Sequence, residues 1–173
     1  MIKDYIFDKL TKKDLSKILD IRNQAGTRSA SINNKVILKD DHEQWFRKKK
    51  KDDFFHYYVL KHYNKIVGVG YGKNYELKKR SCTWGIYTDL NIKSKNRYGS
   101  TIKYLLFENL FSTEEVDKIE CQVMEGFEWI KDWYIRWGHE LIDFDKNLNC
   151  YNLTLEKKNW NKIKSKIYEK NFK

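Results

Sequence analysis

A chain of 173 residues that is 40% hydrophobic and 16% aromatic can fill one packed core even though it is 34% charged, which excludes global disorder. No apolar run approaches the ~20 residues that span a bilayer, and residues 1–7 lack the apolar stretch of a signal peptide, so a cytoplasmic location is expected. Thirty-five Lys and Arg against 24 Asp and Glu leave a net charge of +11, which favours an anionic partner without choosing among nucleic acid, phospholipid headgroups and phosphorylated small molecules.

In chain order, residues 5–10 read as a strand, and Thr11 with Asp14 three positions on reads as a helix cap. Leu15, Ile18, Leu19 and Arg22 then follow at helical spacing, and this helix ends over residues 23–26. A polar stretch leads to Asp40 and Glu43, which open a second helix carrying His42, Trp45 and Phe46, while the basic run over residues 47–51 reads as solvated surface. Three strand-like runs follow at 56–62, 65–72 and 81–88, the first two joined by Tyr63-Asn64 as a hairpin turn.

Beyond Gly99, the spacing of Ile102, Leu105, Leu106, Leu110 and Phe111 predicts a helix, and 118–124 is again β-type. Trp129, Ile130, Trp133, Tyr134 and Trp137 predict a helix stopped by Gly138, and two strands at 141–144 and 150–155 close the pattern. The result is a mixed α/β domain over residues 1–156 with one β-α-β crossover. In the basic segment 157–173, Trp160, Ile163 and Ile167 fit a docked terminal helix, a membrane-surface helix or a frayed end, docking being preferred. Cys82, Cys121 and Cys150 show no zinc-site spacing and read as buried small hydrophobes, so no metal is expected.

The most informative stretch is the strand at 82–87, the basic loop Lys93-Ser94-Lys95-Asn96-Arg97-Tyr98-Gly99-Ser100-Thr101 and the helix after it. A basic loop feeding a helix N-terminus turns unpaired N–H groups and a positive dipole end toward an anion. Gly99 allows close backbone approach, and Ser100 and Thr101 add hydroxyl donors. The loop is neither a Walker loop nor a dinucleotide-binding fingerprint.

In this context the chain resembles the GCN5-related N-acetyltransferases, whose acetyl-CoA loop reads Gln/Arg-x-x-Gly-x-Gly/Ala; Asn96, Gly99 and Thr101 occupy those places, and only Gly99 matches strictly. The flanks Ile21-Arg22-Asn23, His42-Glu43-Gln44-Trp45-Phe46, Ile66-Val67-Gly68-Val69-Gly70, Trp84-Gly85-Ile86-Tyr87 and Glu120-Cys121-Gln122-Val123-Met124-Glu125 look like the nucleotide-sugar N-acetyltransferases of pseudaminic acid biosynthesis, which serve surface glycan and flagellin modification.

The resemblance implies a mostly antiparallel central sheet of about seven strands flanked by four helices, with two strands splayed apart and a helical tail. It implies acetyl-CoA as cosubstrate and direct attack by the 4-amino group of a UDP-linked amino sugar, in a monomer or homodimer. Ile86 and Tyr87 would line the pantetheine arm, Lys95, Asn96, Arg97, Tyr98, Gly99, Ser100 and Thr101 the pyrophosphate, and the gap would open near Glu125 and Gly126. Tyr134 would protonate the thiolate, although its spacing alone suits a core aromatic. Gln122 stands where related enzymes carry a glutamate and can orient water without accepting its proton, so His42 and Glu125 are the candidate bases. Phe127 stands where many members carry an asparagine that contacts pantetheine. Arg22, Asn23, His42, Trp45 and Tyr71 are the candidates for holding the acceptor, with Trp45 equally suited to the core. A protein N-terminus or another small amine would use the same site. A nucleic-acid-binding protein is the reading of another class, and the dispersed basic and aromatic residues disfavour it.

Overall fold

The computed structural model describes residues 4–52, 54–92, 97–113 and 115–173. Its strands are β1 (Tyr5–Lys9), β2 (His56–His62), β3 (Lys65–Glu76), β4 (Ser81–Thr88), β5 (Lys118–Met124), β6 (Glu140–Asp145) and β7 (Cys150–Glu156). Its helices are α1 (Leu15–Asn23), α2 (Ala25–Ser29), α3 (Lys39–Lys49), α4 (Tyr98–Ser112), α5 (Glu128–Ile135) and α6 (Lys157–Phe172). The strands form one seven-stranded sheet in the order β1-β2-β3-β4-β5-β7-β6, and every pairing is antiparallel except β4 with β5.

Strand alternation divides the core between two faces. On β2, Tyr58 and Leu60 point toward α4, while Val59 points the other way, against Leu15 and Ile18 of α1 and Phe46 of α3. The β2–β3 hairpin closes through Tyr63 and Asn64, whose φ angles of 47° and 60° give the doubly left-handed turn that matches strand twist. On β3, Gly68, Gly70 and Gly72 form the floor under α4. A Cβ at Gly70 would come within 2.7 Å of Ile102, and one at Gly72 within 2.7 Å of Leu110, so only bare backbone lets the helix lie this close.

The structure differs from the sequence reading at several ends. The polar stretch after α1 contains α2. Thr11 and Asp14 do form the expected capping box, with the Thr11 amide and hydroxyl both donating to the Asp14 carboxylate, but it opens a short 3-10 turn ahead of α1. α3 starts at Lys39 after Leu38, which supplies no side-chain cap; Asp40 and Asp41 instead place negative charge in the first turn. The segment after Glu156 is a docked helix: Trp160 is fully buried in the cluster that also holds Leu106 and Phe107 of α4, and its indole N–H donates to Glu108 at 2.7 Å. The three cysteines are buried and unbridged. Among the described residues, no helix is long and apolar enough to cross a membrane.

Candidate active site

The sheet opens in its middle. β4 and β5 pair only from Ser81 to Thr83 against Lys118 to Glu120, and beyond that point Trp84–Thr88 and Cys121–Met124 run on without pairing to each other. The split therefore starts at Trp84 and Cys121, several residues ahead of the Glu125-Gly126 turn at which the gap was expected. Ile86 and Tyr87 are held from one side by β3, opposite Gly70 and Val69, and face the opening with the other. A strand edge with unpaired N–H and C=O groups offers hydrogen bonds to an extended, amide-bearing ligand.

A cavity of about 1420 Å³ fills this split and runs from the start of α4 to the loop before α3. It gathers Arg22, His42, Trp45, Tyr71, Ile86, Tyr87, Arg97, Tyr98, Gly99, Ser100, Gln122 and Tyr134 into one lining. These residues come from seven elements and the loop ahead of α4, so the fold brings together most of the residues singled out from sequence.

At one end lies the N-terminus of α4. The helical ladder begins when the Thr101 N–H donates to the Arg97 carbonyl at 2.8 Å, and the Thr101 hydroxyl bonds the same oxygen at 3.0 Å. Thr101, fully buried, is thus removed from the anion-binding set: as the fourth residue of the helix its N–H is already spoken for. The N–H groups of Gly99 and Ser100 precede the ladder and have no partner among the described residues. Tyr98 reaches the cavity, but its ring turns into the β1–β2 side, where its hydroxyl meets His62 Nδ1 at 3.0 Å and its edge meets Tyr5. Arg97 lines the cavity while one guanidinium nitrogen donates to the Lys170 carbonyl of α6 at 2.9 Å, so part of its donor capacity is committed to the C-terminal helix. Lys95 and Asn96 lie outside the described residues.

Tyr134 sits on α5 at the middle of the cavity. Its ring packs against Trp84 at 4.8 Å between centroids, and among the described residues none hydrogen-bonds its hydroxyl. Burial raises its pKa well above the ordinary tyrosine value, so it is a protonated phenol. Gln122 borders the cavity but turns its amide to Asn152, at 3.0 Å. Glu125 and Gly126 do not belong to the lining. β5 ends at Met124; the Glu125 N–H bonds the Asn149 carbonyl and the Gly126 N–H bonds the Glu128 carboxylate, so the chain has already turned away from the split. That leaves His42 as the cavity's imidazole. It is buried, stacked on Trp45 at 5.2 Å, and burial lowers its pKa with weak opposition from Glu43, so it is neutral near pH 7.

The far half of the cavity is aromatic and cationic. Trp45 meets Tyr57 edge-on at 5.0 Å, and Tyr57 stacks on Tyr71 at 5.2 Å. The Tyr71 hydroxyl lies over Gly85, where any Cβ would collide with it. One guanidinium nitrogen of Arg22, Nη2, donates to the Asn33 carbonyl at 2.6 Å, whereas Nη1 is buried with no hydrogen-bond partner among the described residues. Lys73, absent from the sequence reading because β3 was expected to end at Gly72, adds a second cation; burial first, then Arg22 and Lys49, lowers its pKa. Asn23 is removed from the set: it is absent from the lining, and its amide donates to the Ile37 carbonyl and accepts from the Ile37 N–H, both at 2.9 Å, which ties the end of α1 to the loop before α3. Of the two carboxylates in the lining, Asp89 is occupied by Lys17, Gln24 and the Asn91 N–H, which together outweigh burial and hold its pKa low; Asp41 is the other.

This architecture is that of known enzymes. The spermidine N-acetyltransferase of Vibrio cholerae, solved in complex with CoA and spermine, superimposes with a TM-score of 0.82 at 14% identity over 91% of this chain and 98% of that one. The chain has the GCN5-related N-acetyltransferase fold. The ribosomal-protein-alanine N-acetyltransferase of Brucella melitensis is similar to it as well (TM-score 0.73, 18% identity, 87% of this chain and 99% of that one), as is an N-acetyltransferase of Staphylococcus aureus Mu50 (0.70, 14%, 88% and 98%). At these identities the likeness concerns the fold. No protein-family model matches the chain, and no curated protein sequence does.

Proposed function

We propose that the chain transfers an acetyl group from acetyl-CoA to the 4-amino group of a nucleotide-linked amino-dideoxy sugar. The transferase part of this reading draws on the fold, one relative of which is bound to CoA, and on the split between β4 and β5. The acceptor part is carried by one observation: Arg22 Nη1, buried beside Lys73, has no hydrogen-bond partner among the described residues, and of the two carboxylates in the cavity lining Asp89 is already neutralised. A buried cationic donor lacking a partner costs free energy until an anion reaches it, and a diphosphate supplies that anion. Spermidine, the acceptor of one structural relative, is a polycation and would meet Arg22, Lys35 and Lys73 with like charge.

In this reading the pantetheine arm lies along β4, the pyrophosphate takes the Gly99 and Ser100 N–H groups with help from Arg97, and an N–H near Ile86 or Tyr87 polarises the thioester carbonyl. The neutral amine attacks the carbonyl carbon, its proton leaving to His42 directly or through water. The tetrahedral intermediate then collapses as the C–S bond breaks and Tyr134 gives its proton to the sulfur. His42 and Trp45 bound the acceptor side, with the indole offering a face for a base or sugar.

Thermal melting with candidate acceptors tests the acceptor class. A UDP-linked 4-amino sugar is expected to raise Tm, and spermine is expected to leave it unchanged; the reverse would replace the nucleotide sugar with a polyamine. For His42, kcat/KM for the acceptor should fall as pH drops through the lowered imidazole pKa, below the ordinary value of about 6.5, because the proton-accepting form is lost. His42→Gln should remove that acid limb, and an unchanged limb would assign it to another group.

A further inference from the structure

Lys103 is on α4, fully buried, and among the described residues its ammonium has no hydrogen-bond partner. It lies inside a cage of aromatic faces, 3.4 Å from the ring centroid of Trp133, 4.0 Å from Trp137 and 4.6 Å from Tyr134. A lysine this dry and unpaired is rare unless something compensates the charge, and the negative faces of three π systems do so. Burial pulls its pKa well below the lysine range, Cys121 opposing this in part and the like charge of Arg136 adding to it; the cage acts to keep the proton on.

The other groups facing Lys103 carry little competing charge. From β5, Cys121 is an uncharged thiol whose pKa burial pushes up. Ahead of β6, His139 is held neutral, its pKa brought down to about 3 by burial and then by Lys103 itself, while its Nδ1 sits 3.1 Å from the Tyr134 carbonyl. Arg136, just after α5, shares the sign of Lys103 and lies on the cavity side. From β4, Trp84 packs against Tyr134 with ring centroids 4.8 Å apart and carries no charge. Lys103 is absent from the cavity lining, so it can reach the reaction only through the ring it touches.

We propose that Lys103 is a positioning residue for Tyr134: its ammonium, held against the tyrosine ring, stabilises the phenolate that forms when the hydroxyl gives its proton to the departing thiolate. This rests on the reading of Tyr134 as general acid. The Tyr134 O–H bond breaks, the S–H bond of coenzyme A forms, and the phenolate later regains a proton from water. Deep burial makes phenolate costly, which makes Tyr134 a poor acid unless a positive charge accompanies it. Trp133 and Trp137, four residues apart, hold that charge in place, and Trp133 also lies 3.3 Å from where a Gly99 Cβ would stand, tying the cage to the start of α4.

A double-mutant cycle on kcat tests this, with thermal melts to show that each variant folds. Lys103→Met is expected to lower kcat about tenfold with KM for acetyl-CoA within twofold, Lys103→Arg to keep kcat within threefold, and Lys103→Met to cost nothing further in a Tyr134→Phe background. Wild-type kcat is expected to decline as pH rises through the Lys103 titration, a limb that Lys103→Met lacks. If Lys103→Met does not fold, Lys103→Gln serves as the neutral probe with the same expectations. A slow Tyr134→Phe with a neutral Lys103 variant at wild-type rate, or losses that add across the two sites, would overturn the proposal while leaving the general acid in place. An unaffected Tyr134→Phe would overturn the general acid itself, and the proposal with it.

Discussion

Replacing Tyr134 by Phe is expected to lower kcat at least tenfold, about 1.4 kcal/mol of barrier, while acetyl-CoA still binds. The ring is the larger part of what Tyr134 contributes to packing: it meets Trp84 at 4.8 Å and Lys103 at 4.6 Å, and phenylalanine keeps both contacts. The hydroxyl, by contrast, has no partner among the described residues and faces the cavity, so its loss removes chemistry with little effect on folding. General acids of this kind contribute about a hundredfold or more. Coenzyme A affinity is expected to hold because the contacts proposed for it come from β4 and the start of α4. Turnover and a coenzyme A titration, run side by side, check both halves. Unchanged turnover would return Tyr134 to the core as one more aromatic.

The second large effect is on stability. Trp160→Ala is expected to cost about 3–5 kcal/mol, the range for truncating a buried tryptophan, which in a chain of this size lowers Tm by roughly 6–20 °C. Trp160 is fully buried between Trp137, stacked at 6.2 Å, and Phe107, edge-on at 5.3 Å, and its indole N–H donates to Glu108. Glu108 keeps Lys164 as a partner after the substitution, so the loss is mainly packing. Because the Lys170 carbonyl of α6 also receives the Arg97 guanidinium, loosening this helix should weaken coenzyme A binding too. A thermal melt showing less than about 1 kcal/mol would mean that α6 is dispensable to the core.

Much of the fold was legible because local patterns agreed with one another. The strand-like run of β2, the Tyr63-Asn64 turn and the Thr11-Asp14 box each declared themselves in the residues that form them. What stayed hidden depends on pairing across the sheet. The sequence of β5 does not reveal that pairing with β4 stops at Glu120, so the split was expected near Glu125-Gly126, where the backbone is already bonded to Asn149 and Glu128. Thr101 was credited with donors by its place in a motif, although any fourth helical residue spends its N–H on the turn before it. The unpartnered Arg22 nitrogen and Lys73 meet only after α1 and β3 pack side by side, a coincidence no local window contains. Lys103 did leave a trace: it falls on the stripe of Leu106, Phe107 and Leu110, where a lysine is out of place on a buried helix face.

Acetyl transfer from acetyl-CoA to an amine held at the cationic, aromatic wall would release free coenzyme A thiol, which can be followed with purified protein, acetyl-CoA and a panel containing a UDP-linked 4-amino sugar, spermidine and a peptide with a free N-terminus. Thiol release with the UDP-linked 4-amino sugar alone is the expected result. No release with any amine would rule out the proposed transfer.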